Sequence, residues 1–420
     1  MPKCWLAILS LLALSACGEV PQQQTIGSHR QALLTEVTSF GSNPGSLQMF
    51  TYVPAGMPST PAPIVVALHG CYQDAADYEA AGWNALADRL KFYVVYPQIT
   101  ANSGCFYWFD PTENARGAGG ALSIRQMVDK MKSTYSVDGA RVFVTGLSSG
   151  GAMAAAMLAA YPDVFSAGAT LAGVPVGCAT SAYGGFACMG GSQAHSAQEW
   201  GGYVRAAYSG YTGKYPRVSI WQGTSDSIVD FANFGELVSQ WTNVQAIDAN
   251  SDATETLGLA THREFRDGQG KTLVESWELS GMDHGAPVDP DNGCGTAGSY
   301  MLDVGICSSE RIARFFGIIG AAGPDAGLAP GLDAGSPGLD AANPAGLDAS
   351  DVVAPDAGEE VGADAGAGRD AGRPDAAHVT PVNPGQCNCG VSAAGGPESA
   401  LILLALAGLL RQRMRSAAAG

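Results

Sequence analysis

The chain predicts a doubly wound α/β fold, a mostly parallel sheet with helices on both faces, over residues 35–320. Three observations carry this expectation. Short apolar runs such as Ile64-Val65-Val66-Ala67-Leu68 lack polar alternation, so as strands they must be buried on both faces. Such runs alternate with helical segments, which implies right-handed crossovers onto a parallel sheet. The run Val142-Phe143-Val144-Thr145 breaks at Gly146-Leu147-Ser148-Ser149-Gly150-Gly151 and continues as an Ala-rich helix. A stretch of this length is ample for one large core.

In chain order, Leu47–Val53 and Ile64–Leu68 are expected as strands, Ala75–Leu90 as a helix, Phe92–Tyr96 as a strand and Ala121–Tyr135 as a helix. Strand Arg141–Thr145 and helix Gly151–Tyr161 flank the glycine-rich turn, where small residues let the two elements approach closely. Strands follow near Gly168–Leu171, Val218–Trp221 and Leu273–Leu279, with helices near Phe234–Trp241 and Ser309–Phe316. Sites in open α/β sheets lie beyond the carboxyl ends of the strands. The residues with candidate chemistry fall there.

The G-x-S-x-G turn places Ser148 at the apex of a nucleophile elbow, which lifts a serine hydroxyl out of the end of a sheet. Such a serine needs a base, and the base needs an orienting acid, in the chain order serine, acid, histidine. Asp226 follows strand Val218–Trp221, and His284 follows strand Leu273–Leu279 between glycines. Asp230 and Asp283 compete with Asp226, which itself has the alternative of stabilising a turn. Among the other histidines, His262 adjoins the charged run Arg263-Glu264-Phe265-Arg266 and is expected on a solvated surface, while His195 lies in a Gly/Ser-rich loop. Oxyanion donors are expected from the backbone N–H of Ser149 and of Cys71, in the loop His69-Gly70-Cys71-Tyr72 after Ile64–Leu68. His69 is expected to brace that loop. Trp108, Phe109, Trp200, Tyr203 and Trp221 are aromatic candidates near the mouth of the site, with Trp108, Phe109 and Trp221 as candidates to line a substrate pocket and core packing as the alternative for each.

Of ten cysteines, Cys71 with Cys105, Cys178 with Cys188, and Cys294 with Cys307 form plausible pairs. None has the C-x-x-C and histidine spacing of a metal site, so no metal or cofactor is expected.

Leu68-His69-Gly70-Cys71, Gly82-Trp83-Asn84-Ala85-Leu86-Ala87-Asp88, Cys105 with Trp108-Phe109, Gly146–Gly151 and Leu302-Asp303-Val304-Gly305-Ile306-Cys307 resemble, in this order, the PHB-depolymerase family of extracellular esterases. That family includes feruloyl and acetylxylan esterases alongside poly(3-hydroxybutyrate) depolymerases, and the resemblance covers roughly residues 40–317. It implies an α/β-hydrolase fold, serine esterase chemistry, the triad Ser148, Asp226 and His284, and cysteine pairs that stabilise the surrounding loops. One departure stands out: the family's usual His-Gly-Thr before the acid is here Gln222-Gly223-Thr224. Polymer-degrading members often carry an added binding domain, and its place here is taken by a spacer. This favours plant cell-wall feruloyl or acetyl esters, or other short-chain esters, with extracellular poly(3-hydroxybutyrate) depolymerase as the alternative. A non-catalytic surface adhesin would require a degenerate triad position, and none is degenerate.

Residues 1–16 resemble an export signal, with Lys3, the apolar stretch Cys4–Leu14 and small residues before Cys17. The order Leu14-Ser15-Ala16-Cys17 resembles a bacterial lipoprotein processing site, which would make Cys17 the point of lipidation; ordinary secretory cleavage is the alternative. Residues 17–34 are then a linker. Residues 321–386 carry repeated Pro-Asp-Ala-Gly and Gly-Leu-Asp-Ala units and are expected to be a disordered acidic spacer. Eleven acidic residues against two arginines there account for −9 of the chain's −17, an acidity that argues against nucleic-acid partners. Residues 387–420 combine Cys387-Asn388-Cys389, an apolar stretch to Leu410, and Arg411, Arg413 and Arg415. They resemble sorting tails of the myxobacterial type, with a plain anchor helix as the alternative. The expected location is extracellular or cell-surface, associated with the outer membrane, and the expected partners are an ester substrate, polymeric or not, and the cell envelope.

Overall fold

The structure, a computed structural model, describes residues 34–191 and 194–320. The expected signal, Cys17, the expected spacer and the expected C-terminal tail lie outside the described residues. One ten-stranded sheet is built from β1 (Thr35–Glu36), β2 (Gln48–Tyr52), β3 (Ala62–Leu68), β4 (Tyr93–Gln98), β5 (Val137–Leu147), β6 (Ala167–Leu171), β7 (Arg217–Gly223), β8 (Ala253–Leu257), β9 (Ala260–Arg266) and β10 (Thr272–Leu279), in the order β1-β2-β4-β3-β5-β6-β7-β10-β9-β8. The six inner strands from β4 to β10 run parallel, and the two strands at each edge are antiparallel. The doubly wound expectation holds.

Apolar residues on both pleats explain the layering. Ile64, Val66 and Leu68 of β3 enter one core with Val142, Val144, Val218 and Ile220, while Val65 and Ala67 enter the other with Phe143, Ala169 and Leu171. Helices α4 (Gly119–Thr134) and α8 (Ala232–Val244) close the first face through Ile124, Met127, Leu237 and Trp241. On the second face, α2 (Trp83–Leu90) and α9 (Ser308–Phe315) supply Trp83, Leu86, Ile312 and Phe315. Helix α5 (Ser149–Ala160) is buried at every position, which only a helix of small and apolar residues tolerates.

The continuous helix expected over Ala75–Leu90 is two helices, α1 (Ala75–Glu79) and α2. Gly82 stands between them at φ +92°, a left-handed conformation that glycine accommodates, and the backbone N of Gly295 lies against it. Beyond the expected elements are the edge hairpin β8–β9, the short parallel pair β11 (Ala286–Val288) and β12 (Met301–Asp303), and helices α3 (Pro111–Asn114), α6 (Ala182–Met189) and α7 (Ala197–Ala207). All three expected cysteine pairs are disulfides: Cys71–Cys105, Cys178–Cys188 and Cys294–Cys307. Among the described residues no helix is long and apolar enough to cross a membrane.

Candidate active site

The carboxyl ends of β5, β6, β7 and β10 are stitched side by side. Ser148 N donates to Leu171 O at the end of β6, Ala172 N to Trp221 O in β7, and Thr224 N to Leu279 O in β10. Ser148, Asp226 and His284 therefore emerge along one edge of the sheet, each from a loop tied to the next. The Thr224 hydroxyl adds a further tie by accepting the Gly281 N–H at 2.9 Å.

Ser148 has φ +57° and ψ −119°, a conformation that costs a non-glycine residue roughly 1–3 kcal/mol. It is half-buried between the buried residues Leu147 and Ser149, so the turn brings one side chain to the surface. Close packing forces this turn. A Cβ on Gly150 would lie 2.3 Å from Leu68 O, and one on Gly146 would lie 2.4 Å from the Gly150 carbonyl. The glycines are thus required by the approach of α5 to β3 and β5.

Asp226 and His284 are in direct contact, with His284 Nδ1 2.9 Å from Asp226 Oδ2 and 3.0 Å from Oδ1. The two side chains are 0% and 4% exposed, so the pair is sealed from water. Asp226 Oδ1 also accepts the backbone N–H of Ile228 and of Val229, at 2.9 and 2.8 Å. Donation from Nδ1 leaves Nε2 of His284 as the ring's acceptor, the arrangement a general base needs. The competing acids are engaged elsewhere. Asp230 Oδ1 accepts the Ala232 N–H, and Asp283 Oδ1 accepts the N–H groups of Ser227 and His284. Burial pushes the Asp283 carboxyl up, but those N–H groups outweigh it and hold it below the ordinary carboxylate value.

Gln222, where the resembling family usually has histidine, is buried, and its Nε2 donates to Val229 O at 2.7 Å and to Asp230 O at 3.3 Å. The amide thereby closes the loop that holds Asp226.

The loop after β3 comes up beside the serine, since a Cβ on Gly70 would stand 3.4 Å from Ser148 Cβ. Its Cys71 N–H and the Ser149 N–H, the first of a helix and so without an intrahelical acceptor, are the two candidate oxyanion donors. His69 braces the loop as expected: Nδ1 meets Gly70 O at 2.8 Å, and Nε2 accepts the Ile99 N–H at 3.3 Å. Burial lowers its pKa, in keeping with a neutral ring in this role. Gln73, which carries no sequence signal, accepts the Gly70 N–H at 2.9 Å and reaches Ser299 O at 3.5 Å on the loop that follows His284.

Two expectations are corrected. His262 is 7% exposed and lies on β9 between Glu255 and Glu275, at 2.9 and 3.1 Å, with its ring stacked on Trp277. His262 shares its face of β9 with Glu264, but Trp277 and Glu275 of β10 cover the ring, and the run beside it is itself only partly solvated, with Phe265 buried. Trp221 is 1% exposed, stacks on Trp277 at 4.5 Å and donates to Ser219 Oγ, so core packing is its role. Trp108 and Phe109 are half-buried, in edge contact at 5.5 Å, and Trp108 packs against the cluster of Ala152, Val174 and Val229 beside the elbow helix and the acid loop. Trp200 is fully buried and its indole donates to Glu236. Tyr203 is exposed and in edge contact with Trp200 and His195. Among the described residues, no cluster of three or more His, Cys, Asp or Glu is placed to hold a metal ion.

Residues 47–264, half of the chain, match the family described as esterase PHB depolymerase. The chain belongs to that family. Within the PHB depolymerase esterases it is 50% identical to poly(3-hydroxyalkanoate) depolymerase C of Paucimonas lemoignei over 317 residues, 74% of this chain and 76% of that protein. It is 38% identical to feruloyl esterase B of Talaromyces stipitatus over 267 residues, covering 61% and 74% of the two chains. It is likewise 38% identical to an acetylxylan esterase of Coprinopsis cinerea over 263 residues, 60% and 69%. Among solved structures, acetyl xylan esterase from Aspergillus awamori superposes with a TM-score of 0.60 at 28% identity, covering 68% of this chain and all of that one. The α/β-hydrolase fold expected from the sequence is the fold of this family.

Proposed function

We propose that the chain is a serine carboxylic-ester hydrolase that works through an acyl-enzyme. The observation that carries this reading is the sealed Asp226–His284 pair on the same sheet edge as the half-exposed elbow serine. His284 Nε2 takes the Ser148 proton as Oγ attacks the ester carbonyl, and Asp226 holds the resulting imidazolium. The Cys71 and Ser149 N–H groups receive the oxyanion. The ester C–O bond then breaks, His284 gives its proton to the leaving alkoxide, and a water activated by the same imidazole releases the acid and restores Ser148. No cofactor enters this cycle.

The substrates are carboxylic esters, with feruloyl or acetyl esters of plant cell walls, or other short-chain esters, as the first reading. The 50% identity to a poly(3-hydroxyalkanoate) depolymerase supports polyester as the second. We further propose that residues 35–320 act outside the cell, on the acidic spacer 321–386, and are held at the envelope through a lipid on Cys17, the tail 387–420, or both. Three disulfides support an oxidising location.

A serine-directed fluorophosphonate should label the purified protein on Ser148, and Ser148→Ala should not be labelled. An unlabelled wild type, or equal labelling of the variant, sinks the mechanism. A panel of methyl ferulate, acetylated xylan, p-nitrophenyl esters and polyhydroxybutyrate ranks the substrates, and the mass of the mature N-terminus reports on Cys17; an unmodified Cys17 defeats the lipid anchor.

A further inference from the structure

The Cys71 N–H can receive an oxyanion only if its peptide is aimed. A trans peptide points its N–H and its C=O to opposite sides, so whatever holds Gly70 O also sets the direction of the Cys71 N–H. Gly70 O meets His69 Nδ1 at 2.8 Å and accepts the Gln73 N–H at 3.3 Å. The preceding peptide is held as well, because the Gly70 N–H donates to Gln73 Oε1 at 2.9 Å. Gln73 thus grips residue 70 by both of its backbone polar groups, one through its own N–H and the other through its side chain. Such a grip matters most at a glycine, whose backbone is otherwise the freest of any residue. It is also close, since a Cβ on Gly70 would stand 3.0 Å from Gln73 Oε1 and press on the amide.

The other end of the amide faces the base. Gln73 Nε2 points to Ser299 O at 3.5 Å, a long contact next to the 2.9 Å one at Oε1. Tyr300, the following residue, has φ +62°, and its ring stands edge-on to the His284 imidazole, with centroids 5.9 Å apart and planes at 82°. Its carbonyl accepts the Ala286 N–H at 2.8 Å, just beyond His284. Residues 299–300 therefore back the base, and the Gln73 amide joins them to the oxyanion loop across a separation of 226 residues. Gln73 is 7% exposed and its side-chain carbonyl is engaged, so it braces the loop and does not meet the substrate. An apolar side chain of similar length would fill the same space; what the amide adds is its two directional contacts.

We propose that Gln73 is a positioning residue of the ester-hydrolysing site: it aims the Cys71 N–H at the oxyanion and keeps that donor in register with His284. This role rests on the serine esterase reading and deepens it. The oxyanion exists only in the tetrahedral intermediate and the transition states that flank it. A misaimed donor therefore lowers kcat and leaves ground-state binding intact.

The test uses the full mature protein and a short p-nitrophenyl ester. In Gln73→Leu, which keeps the bulk and removes both side-chain contacts, kcat should fall by at least about fivefold with KM nearly constant, short of the roughly 10²–10³ that outright loss of a donor costs. Affinity for a trifluoromethyl ketone, which forms a tetrahedral adduct on the serine, should fall by a matching factor, while an unreactive amide of the same acyl group keeps its affinity. Gln73→Glu supplies a second readout. Protonated, the introduced carboxyl has a C=O for the Gly70 N–H and an O–H for Ser299 O; ionised, it lacks that donor and sets a negative charge beside the oxyanion. Burial and the adjoining Asp74 both favour its protonated form. The kcat of Gln73→Glu relative to wild type should therefore rise as pH is lowered, a trend absent from Gln73→Leu. A kcat loss below about twofold in Gln73→Leu, a loss carried by KM, unchanged ketone affinity, or a Gln73→Glu ratio flat with pH would each overturn the positioning role. If Gln73→Leu does not fold, the Gln73→Glu ratio alone decides. Fluorophosphonate labelling of wild-type Ser148 keeps the esterase reading standing through all of these outcomes, and its absence is the separate failure of that reading.

Discussion

Gln222 shows how a single side chain fixes the proposed acid, Asp226, without touching it. Its amide donates to Val229 O, and the Val229 N–H donates to Asp226 Oδ1, so the acid is fixed from both sides of one loop. A neutral hydrogen bond contributes about 1 kcal/mol, and a loosened carboxylate loses part of its hold on the imidazole. Gln222→Ala should therefore lower kcat on a short ester by up to about fivefold with KM nearly constant, and Gln222→His, whose ring N–H can reach the same carbonyl, should recover most of it. Equal kcat in Gln222→Ala and wild type, or no recovery in Gln222→His, defeats this role. The placement of Ser148, Asp226 and His284 at the carboxyl ends of β5, β7 and β10 was legible in the sequence because each follows an apolar strand. His262 and Trp221 were misjudged for one reason: both sit on strands, where the inward or outward sense of a residue depends on register and on the face its neighbours cover. Tyr300 and Gln73 gave no signal, since their importance comes only from the loops they meet.

Two loops depend on a covalent tie at the scale of the element. The Cys71–Cys105 bridge joins the segment after β3 to that after β4 across a separation of 34 residues. Ser103 O then holds Tyr72 N, and a side chain at Gly104 would press on Gln73 O at 3.0 Å. The chain-entropy estimate for a loop of this length is about 4 kcal/mol, and one misplaced oxyanion donor costs up to about 10²–10³ in kcat. Cys71→Ser with Cys105→Ser should thus lower both Tm and kcat. Cys178→Ser with Cys188→Ser, which opens a separation of 10 residues away from the oxyanion loop, should lower Tm with much less effect on kcat. Parallel measurement of Tm and of kcat below both transitions decides it, and equal kcat losses in the two pairs count against the oxyanion role. The pairings were readable because an exported chain is expected to oxidise its cysteines and two of the three pairs are closely spaced. The break of Ala75–Leu90 was not, because a lone glycine in a helical pattern is ambiguous until a neighbour such as Gly295 is known to pass against it.

For the whole molecule, the six parallel strands were legible as unalternated apolar runs, while the β8–β9 edge was hidden in charged, half-exposed sequence. That edge carries a histidine whose charge should couple stability to pH. His262 from β9 is held between Glu255 of β8 and Glu275 of β10, Glu264 adds its charge from the same strand, and the ring lies on Trp277, over which Arg311 of α9 reaches. Glu275 is itself buried and also accepts from Ser219 and Trp277. Burial is the strongest single influence on His262 and lowers its pKa, but the two glutamates together outweigh it, so the folded value lies above the ordinary 6.5. A group raised on folding contributes stability that is complete below its unfolded pKa and disappears as pH rises through the folded one. Carboxylates lowered on folding act in the opposite sense. Asp163, paired twice with Arg116 at 2.7 and 2.8 Å, and Asp283 contribute above their unfolded values and lose that contribution in acid. Stability should therefore have an acid limb set by these carboxylates and an alkaline limb, beginning at about pH 6.5, set by His262. In His262→Gln the protein should be less stable at pH 6, because Glu275 loses a charged partner inside the fold, yet its Tm should decline less steeply between about pH 6.5 and 9 than that of the wild type. Thermal melts of both proteins across that window provide the measurement. Parallel curves would mean that His262 is neutral in the folded protein and that another group sets the alkaline limb.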